Sequence, residues 1–141
     1  MGKPRIYLAV KFHSDGRNRE LVEAISRVMS EVGVEVSCLG VSDAKYSPSE
    51  LMAEAFRQID ASNLLLVEFS EKGVGLGVEA GYAYAKNIPV VVVAKRGSEI
   101  SDSLAGLAKE VIFYENLAGI GEKLAVDPSS IMGVIRDTKG A

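Results

Sequence analysis

Five short runs of β-favouring residues recur along the chain with helical segments between them, and this alternation restricts the folds that it can adopt. The runs cover 5–10, 34–39, 64–69, 89–94 and 110–114. The fourth, PVVVVA, is apolar throughout, as expected of a strand covered on both faces. The sequence therefore predicts an α/β fold: one doubly wound, five-stranded parallel sheet, Rossmann-like or flavodoxin-like, with strand order 2-1-3-4-5 and right-handed crossovers.

The helices are indicated by apolar periodicity and by end signals. Apolar residues at helical spacing predict a first helix over 17–32, with Gly33 placed to end it. The motif SPSE at 47–50 combines a capping serine, a proline at the first helical position and a glutamate three residues after the cap, so a second helix is predicted to begin there. Shorter helices are predicted over 101–108 and 117–126. The second helix is expected to bury Leu51, Met52, Ala55, Phe56 and Ile59.

The length of 141 residues fits one domain. We assign residues 1–126 to the α/β domain and 127–141 to a C-terminal extension. In that extension an apolar cluster predicts a short helix, docked either on this subunit or on a neighbour. The cluster consists of Ile131, Met132, Val134 and Ile135.

Composition and charge exclude several classes of function. The formal net charge is −3 and the basic residues are spread among acidic ones, which disfavours a nucleic-acid partner. The only cysteine, Cys38, excludes an intramolecular disulfide and a cysteine-rich zinc site. No apolar run approaches the ~20 residues that span a bilayer, and residues 1–6 lack the apolar segment of a signal peptide. We therefore expect a cytoplasmic protein with no membrane partner.

The stretch 63–86, NLLLVEFSEKGVGLGVEAGYAYAK, holds the strongest candidate site. It predicts a buried strand, a loop carrying Gly73, Gly75 and Gly77, and a helix with Glu79 in its first turn. Ligands of open α/β sheets bind at this edge of the sheet. Because helix starts favour negative charge, Glu79 is expected to be ionised, a suitable state for a nucleophile. The alternative is an acidic residue that only stabilises the helix.

The three glycines do not form a dinucleotide-binding fingerprint, because that motif should follow the first strand and here they follow the third. A glycine-rich turn still lets the backbone approach a nucleotide or sugar phosphate closely. The alternative is a tight turn in which at least one of the three glycines adopts a positive φ.

In the helix that follows, Gly81 and Ala85 are small enough to let another element pack closely. The favoured interpretation is that they pack on the sheet, and the alternative is that they pack on a second copy of the chain.

The loop after the first strand carries Lys11, His13 and Arg17, which together could hold a phosphate. The alternative is a solvated loop without a ligand. Patterns for a Walker loop, an HExxH zinc site and a GxSxG nucleophile elbow are absent from the sequence. We therefore expect no metal and no other cofactor, and nucleophilic serine catalysis is disfavoured.

Three segments resemble the nucleoside 2-deoxyribosyltransferase family, which includes the 2'-deoxynucleoside 5'-phosphate N-hydrolases. They are IYL at 6–8, VGLGVEAGYAYAKNIPVVVV at 74–93 and ISDSLAGLA at 100–108. The resemblance implies that Glu79 attacks the anomeric carbon of a (deoxy)nucleoside, giving a glycosyl-enzyme that passes to another base or to water. It also implies that Tyr7 orients the nucleophile. By the same resemblance Ser103, with Ser101 a near alternative, reaches a neighbour's active site, so the chain forms at least a homodimer.

The chain departs from the family in its second acid. Members carry an aspartate in the second helix where this chain has Ala55. Glu54 is a poor substitute, since at ~100° per residue it lies about 130° from the centre of the predicted apolar face. Glu68, near the end of the third strand, matches an acidic position of the N-hydrolase branch and is the best candidate for the proton donor.

Two further departures concern the phosphate. The glycine-serine phosphate loop of the N-hydrolase branch is replaced by Val10 and Lys11, so a phosphate would be held by Lys11, His13 or Arg17. The serine which that branch places in the glycine loop is Gly73 here.

The resemblance therefore implies N-glycosidic bond cleavage or transfer on a small-molecule (deoxy)nucleoside or nucleoside 5'-monophosphate, and for this chemistry ionised Glu79 is expected to pair with a protonated Glu68. The alternative is a non-catalytic nucleotide-binding module whose catalysis was lost with the aspartate at Ala55. A flavodoxin-like electron carrier is disfavoured, because the chain has no tryptophan and no hydroxyl-rich phosphate loop after the first strand.

Overall fold

The computed structural model describes residues 2–41, 45–125 and 131–140, with the backbone alone for 125 and 136–140. The strands are Arg5–Ala9 (β1), Glu35–Ser37 (β2), Leu64–Glu68 (β3), Val90–Lys95 (β4) and Glu110–Tyr114 (β5). The helices are Arg19–Glu31 (α1), Pro48–Asp60 (α2), Val74–Ala85 (α3), Asp102–Leu107 (α4), Ile120–Ala125 (α5) and Ile131–Gly140 (α6), with a 3-10 turn at Leu117–Gly119.

The five strands form one parallel sheet in the order β2-β1-β3-β4-β5, which confirms the predicted doubly wound α/β fold. In the register of the sheet, Tyr7 of β1 lies between Ser37 of β2 and Leu65 of β3. The direction in which successive strands are added to the sheet reverses at β1, because β2 lies on one side of it and β3 on the other. A ligand crevice is expected beyond the carboxyl ends of the strands at this point.

Each face of the sheet is covered by its own hydrophobic core. Side chains of a strand alternate between faces, so Leu64 and Leu66 join α1, α5 and α6 on one side. Leu65 and Val67 of the same strand join α2, α3 and α4 on the other side. Tyr7 belongs to this second face, so α2 and α3 are the helices that lie nearest to it.

The first helix begins two residues later than predicted, because the loop before it has polar contacts of its own. Arg17 donates hydrogen bonds to the Asp15 carboxylate, and the Asn18 side chain donates to the Lys11 carbonyl oxygen. The end of the helix is as predicted, since Gly33 adopts the left-handed region with φ +81°.

The start of α2 confirms the capping motif. The Ser47 hydroxyl accepts from the backbone N–H of Glu50, and the Glu50 side chain accepts from the backbone N–H of Ser47. The predicted buried face is partly wrong, because Leu51 is 39 % exposed and Met52 is only half-buried. A crossover helix begins at the carboxyl edge of the sheet, so the first turn of α2 overhangs that edge instead of the core.

The C-terminal helix α6 packs on this chain. Ile131 and Ile135 of α6 are buried in the same core as α1 and α5, which decides between the two docking sites that the sequence left open. The helix predicted over 117–126 is a 3-10 turn followed by α5, and residue 126 lies outside the described residues. None of the helices in the described ranges is both long enough and apolar enough to span a membrane.

Candidate active site

A cavity of about 610 Å³ opens at the carboxyl ends of β1 and β2, between the first turns of α2 and α3. This volume lies within the range of small-molecule sites. Tyr7 and Glu79 line it from the strand and from α3, and Ala55 lines it from α2. The cavity therefore lies at the switch point that the strand order predicts, on the α2 and α3 face of the sheet.

Glu79 enters the cavity from farther along α3 than the sequence predicted. The helix begins at Val74 with Gly73 as its N-cap, so Gly75 and Gly77 are helical and Glu79 is the sixth helical residue. The prediction that Glu79 lies in the first turn is wrong. Because helical side chains tilt toward the N-terminus of their helix, its carboxyl group is directed toward the start of α3.

The protonation of Glu79 is governed by burial. Loss of water contact raises the pKa of its carboxyl group to about 7, against the lowering effect of a hydrogen bond from Tyr7. The influence of the helix dipole falls off within the first turn, so it does not offset this desolvation. The prediction that Glu79 is held ionised is therefore wrong for the free protein, in which both forms are populated near neutral pH.

Tyr7 is the hydrogen-bond partner of Glu79. Burial and the nearby Glu79 raise the pKa of the Tyr7 hydroxyl well above its usual range, so that this group stays protonated and donates to the carboxylate. The backbone N–H of Leu39 in turn donates to the Tyr7 hydroxyl. The structure thus brings together the two residues to which the resemblance gives the nucleophile and its orienting group, while their roles stay predictions.

Cys38 lies close enough to Glu79 for the two groups to interact electrostatically. Burial raises the pKa of its thiol to about 11, which keeps the sulfur neutral at physiological pH. Since the thiolate is the reactive form, the Cys38 thiol is not activated for nucleophilic attack.

None of the three glycines near the site needs a positive φ. Gly73 is extended, with φ −163°, and the positive values of the described glycines occur at Gly16, Gly33 and Gly97. The tight-turn alternative is therefore wrong. A Cβ atom on Gly75 would meet nothing within 4 Å, which leaves the backbone at this point of the cavity wall open to a ligand.

The predicted phosphate cluster does not assemble. Lys11 lines the cavity, but the His13 Nε2 atom lies 2.5 Å from a carboxylate oxygen of Glu71, and Arg17 is paired with Asp15 at 2.8 Å. His13 and Arg17 are thus each paired with an acidic side chain of a loop, and neither lines the cavity.

Lys45, which the sequence analysis missed, joins Lys11 in the cavity wall. It lies in the loop after β2, and loops at this edge of the sheet contribute ligand-binding residues. Its place in the chain was therefore a usable signal.

Glu68 lies on the opposite face of the sheet from Glu79. It is 5 % exposed and accepts hydrogen bonds from the backbone and hydroxyl groups of Ser70 and from the Tyr114 hydroxyl, which belongs to the α1 and α5 core. The structure therefore does not form the predicted pair of Glu79 and Glu68. The physical reason is the alternation of side chains along a strand, which directs Glu68 away from the face that Val67 and Tyr7 share.

A second carboxyl group is missing from the described cavity lining. Glu54 is bonded to Arg57 and Gln58 on the α2 surface, and Ala55 occupies the facing position. Among the described residues that line the cavity, Glu79 carries the one carboxyl group.

The two serines predicted near the site do not line the cavity of their own chain. Ser101 is the N-cap of α4, where its hydroxyl accepts from the backbone N–H of Leu104. Ser103 is exposed on the same helix. The prediction that Ser103 reaches a neighbour's site stays a prediction.

Aromatic side chains form part of the cavity mouth, and sequence reasoning missed them. Phe12 from the β1–α1 loop is 62 % exposed, and Tyr46 from the β2–α2 loop is 38 % exposed. Leu51 and Met52 extend this apolar surface. Such a surface suits a planar ring, because aromatic rings pack well by stacking.

Among the described residues no group of three or more His, Cys, Asp or Glu side chains is placed to hold a metal.

Solved structures of similar architecture include the following three. A conserved protein from Enterococcus faecalis V583 is 18 % identical with a TM-score of 0.68, over 87 % of this chain and 100 % of that one. The CMP N-glycosidase BcmB of Clostridium botulinum is 17 % identical with a TM-score of 0.65, over 84 % and 95 %. A 2-deoxyribosyltransferase from Bacillus psychrosaccharolyticus is 16 % identical with a TM-score of 0.67, over 90 % and 96 %.

At these identities the likenesses show the fold. No family profile matches the chain, and neither does any curated protein sequence.

Proposed function

We propose that this protein cleaves or transfers the N-glycosidic bond of a (deoxy)nucleoside or nucleoside 5'-monophosphate, with Glu79 as the nucleophile. The observation that carries the proposal is the half-buried carboxyl group of Glu79, which lines the cavity together with Tyr7 and has its pKa raised by loss of water contact. The sequence resemblance to the nucleoside 2-deoxyribosyltransferases supports it, and so does the shared fold of a CMP N-glycosidase and a 2-deoxyribosyltransferase.

The reaction begins with the ionised form of Glu79. Its carboxylate oxygen forms a bond to C1' of the sugar, and the base departs with the electron pair of the C1'–N bond. Water or a second base then attacks C1' and releases the carboxylate. The pKa of the Tyr7 hydroxyl is raised by burial, so the group keeps its proton throughout the reaction. It can therefore hold the carboxylate in place by donating a hydrogen bond to it.

The departing base needs a proton that Glu79 and Tyr7 do not supply. In the described cavity lining no second carboxyl group is available for it. We assign this proton to water in the open cavity or to an acid of a neighbouring subunit. Glu68 is not placed to give this proton, because it lies across the sheet beside Tyr114.

The cavity walls suit the two ends of a nucleotide. Phe12 and Tyr46 offer aromatic surface for the base, and Lys11 and Lys45 offer positive charge for a 5'-phosphate. We further propose that the enzyme acts in the cytoplasm as a homodimer or higher homo-oligomer.

One observation favours a second candidate function, a non-catalytic nucleotide-binding module. Ala55, where related enzymes carry an aspartate, lines the cavity and leaves it with a single described carboxyl group. This candidate predicts saturable nucleotide binding without release of the base, and binding that survives Glu79→Gln.

The experiment is a base-release assay over a panel of deoxynucleosides, ribonucleosides and their 5'-monophosphates, with and without an acceptor base. We expect release or exchange with at least one substrate and its loss in Glu79→Gln. The matched control is Glu23→Gln, which changes an exposed glutamate of α1. Activity retained by the Glu79 variant contradicts the mechanism, and binding without turnover supports the module.

A further inference from the structure

His13 and Glu71 connect two loops that lie far apart in the sequence. His13 belongs to the β1–α1 loop and Glu71 to the β3–α3 loop, 58 residues later, with 2.5 Å between Nε2 of the imidazole and a carboxylate oxygen. The His13 side chain is 20 % exposed and that of Glu71 is 47 % exposed. We propose that this pair, called here the clasp, holds the two walls of the cavity mouth together and thereby sets the affinity of the site for its ligand.

The clasp is adjacent to cavity-lining residues on both sides. Lys11 and Phe12, which directly precede His13, line one wall of the cavity. Gly73 and Val74, which follow Glu71, line the other wall at the start of α3. A shift of either loop would therefore move groups that face the ligand.

The two walls also touch at a second point. The Lys11 side chain crosses to the start of α3, so that a Cβ atom on Gly73 would lie 3.2 Å from Lys11 Cδ. The contact depends on the distance between the two loops, which the clasp fixes. Release of the clasp is thus expected to displace the cation of Lys11 together with the loop.

The other described polar contacts tie each loop to its own side of the mouth, as the Lys72–Glu99 ion pair does for the β3–α3 loop. Phe12 is 62 % exposed and Val74 is 86 % exposed, so neither anchors its loop in a core. The Asn18 side chain donates to the Lys11 carbonyl oxygen at 2.6 Å, which fixes the base of the first loop. A loop that is not held must be ordered when a ligand binds, and this ordering weakens binding.

The clasp does not depend on protonation of the imidazole. A neutral imidazole still carries one N–H, and the group that accepts it is the Glu71 carboxylate. The charged groups around His13 are Glu71 from the other loop and Asp15 with Arg17 from its own loop. His13 is therefore a positioning residue that acts through the loops.

The inference rests on the proposed function only in taking the cavity as the ligand site. The test compares His13→Ala, Glu71→Ala and the double variant in the base-release assay. Each single variant is expected to raise KM about five- to tenfold, the size of one ordinary hydrogen bond at a partly exposed position, with kcat within about twofold. The double variant should be no worse than either single one, because the two changes remove the same interaction.

Two further variants separate the clasp from a general structural effect. His13→Gln retains a donor at this position and should restore KM to within about twofold of the original protein. Asp15→Asn removes the ion pair of the same loop, leaves the clasp intact and should leave KM unchanged. An unchanged KM in His13→Ala, or an equal rise in Asp15→Asn, would overturn the inference.

Hydrogen exchange measures the clasp without any substrate. The backbone amides of 11–13 and 71–75 should exchange faster in His13→Ala and Glu71→Ala than in the original protein, with β3 and β4 unchanged. This result supports the clasp even where no nucleoside is cleaved. Unchanged exchange in both loops overturns it, whatever the assay shows.

Discussion

Removal of the Glu79 carboxyl group from water governs both its reactivity and its effect on stability. The pKa of about 7 results from desolvation, which the hydrogen bond from Tyr7 only partly offsets. A group with this pKa changes its protonation near neutral pH, the range in which the proposed reaction would take place. Glu79 is the candidate nucleophile that the sequence predicts. The sequence places this residue in the first turn of its helix, and for that reason the protonation state predicted from it is wrong.

At the residue scale, the proposed nucleophile must be ionised to attack, so the proposed activity should depend on pH. We expect kcat/KM to rise as the pH increases through about 7 and to level off above it. Tyr7→Phe removes a hydrogen bond that lowers this pKa, so the rise should move to higher pH and the variant should lose more activity at pH 6 than at pH 9. The pH profile of the base-release assay measures both effects. A profile that is flat from pH 5 to 9 contradicts this account.

The same group makes the stability of the fold depend on pH. Its pKa is raised from 4.5 to about 7 on folding, so the favourable contribution is present below 4.5 and is lost as the pH rises through 7. Glu79→Gln cannot ionise and escapes this loss. Relative to the original protein, the variant should gain up to about 3 kcal/mol between pH 4.5 and pH 8.5, since one pKa unit is worth about 1.4 kcal/mol. Urea unfolding at the two pH values provides the measurement, and an equal difference at both would show that Glu79 is not desolvated.

At the scale of the element, α3 shows how tertiary packing overrides local propensity. Glycine is a poor helix former, and for this reason the sequence placed Gly75 and Gly77 in a loop. Leu76, Ala80 and Ala83 nevertheless pack in the core against the sheet, and this burial stabilises the helix from Val74 onward. The glycine side of the first turn is left facing the cavity or solvent.

Two alanine substitutions in α3 separate helix stability from ligand contact. A Cβ atom at Gly75 or Gly81 meets nothing within 4 Å, so each alanine should stabilise the helix by up to about 1 kcal/mol. Gly75 lines the cavity, whereas Gly81 lies two turns away on the exposed side. We therefore expect both variants to unfold at a higher temperature and only Gly75→Ala to raise KM. An equal KM in the two variants would show that no ligand approaches the backbone at Gly75.

Element order and sheet order were predictable because they depend on local patterns that recur along the chain. Capping by Ser47 and Glu50 and the end of α1 at Gly33 were predictable for the same reason. The cavity was predicted less well, since it depends on contacts distant in sequence. Lys45 and Tyr46 reach it from a loop without a motif. Glu68 points away from it because side chains alternate along a strand and that of Glu68 belongs to the other face of the sheet.

At the scale of the whole molecule, the outer side of α3 has no charged residue between Val74 and Ala85 other than the half-buried Glu79. Gly81 and Ala85 are exposed, so the prediction that they pack on the sheet is wrong. Val74 is 86 % exposed, and Tyr84 is 61 % exposed beside them. This surface is therefore available to a second copy of the chain, as the proposed homodimer requires.

A homodimer with shared active sites predicts complementation. If Ser103 acts in the partner's site, Ser103→Ala and Glu79→Gln should each lose activity alone. A refolded equal mixture should recover about a quarter of the intact sites, because half of the two-fold dimers are mixed and each of these has one complete site. Base release before and after mixing, with the mass determined by light scattering, is the measurement. No recovery from a dimeric mixture would show that each site is built from one chain.

The most direct test of the central claim is mass spectrometry of the protein quenched during turnover, with peptide mapping of any adduct. The account predicts the added mass of one sugar on the peptide that contains Glu79, and its absence in Glu79→Gln. A sugar on another residue, or continued base release by the Glu79→Gln protein, would contradict it.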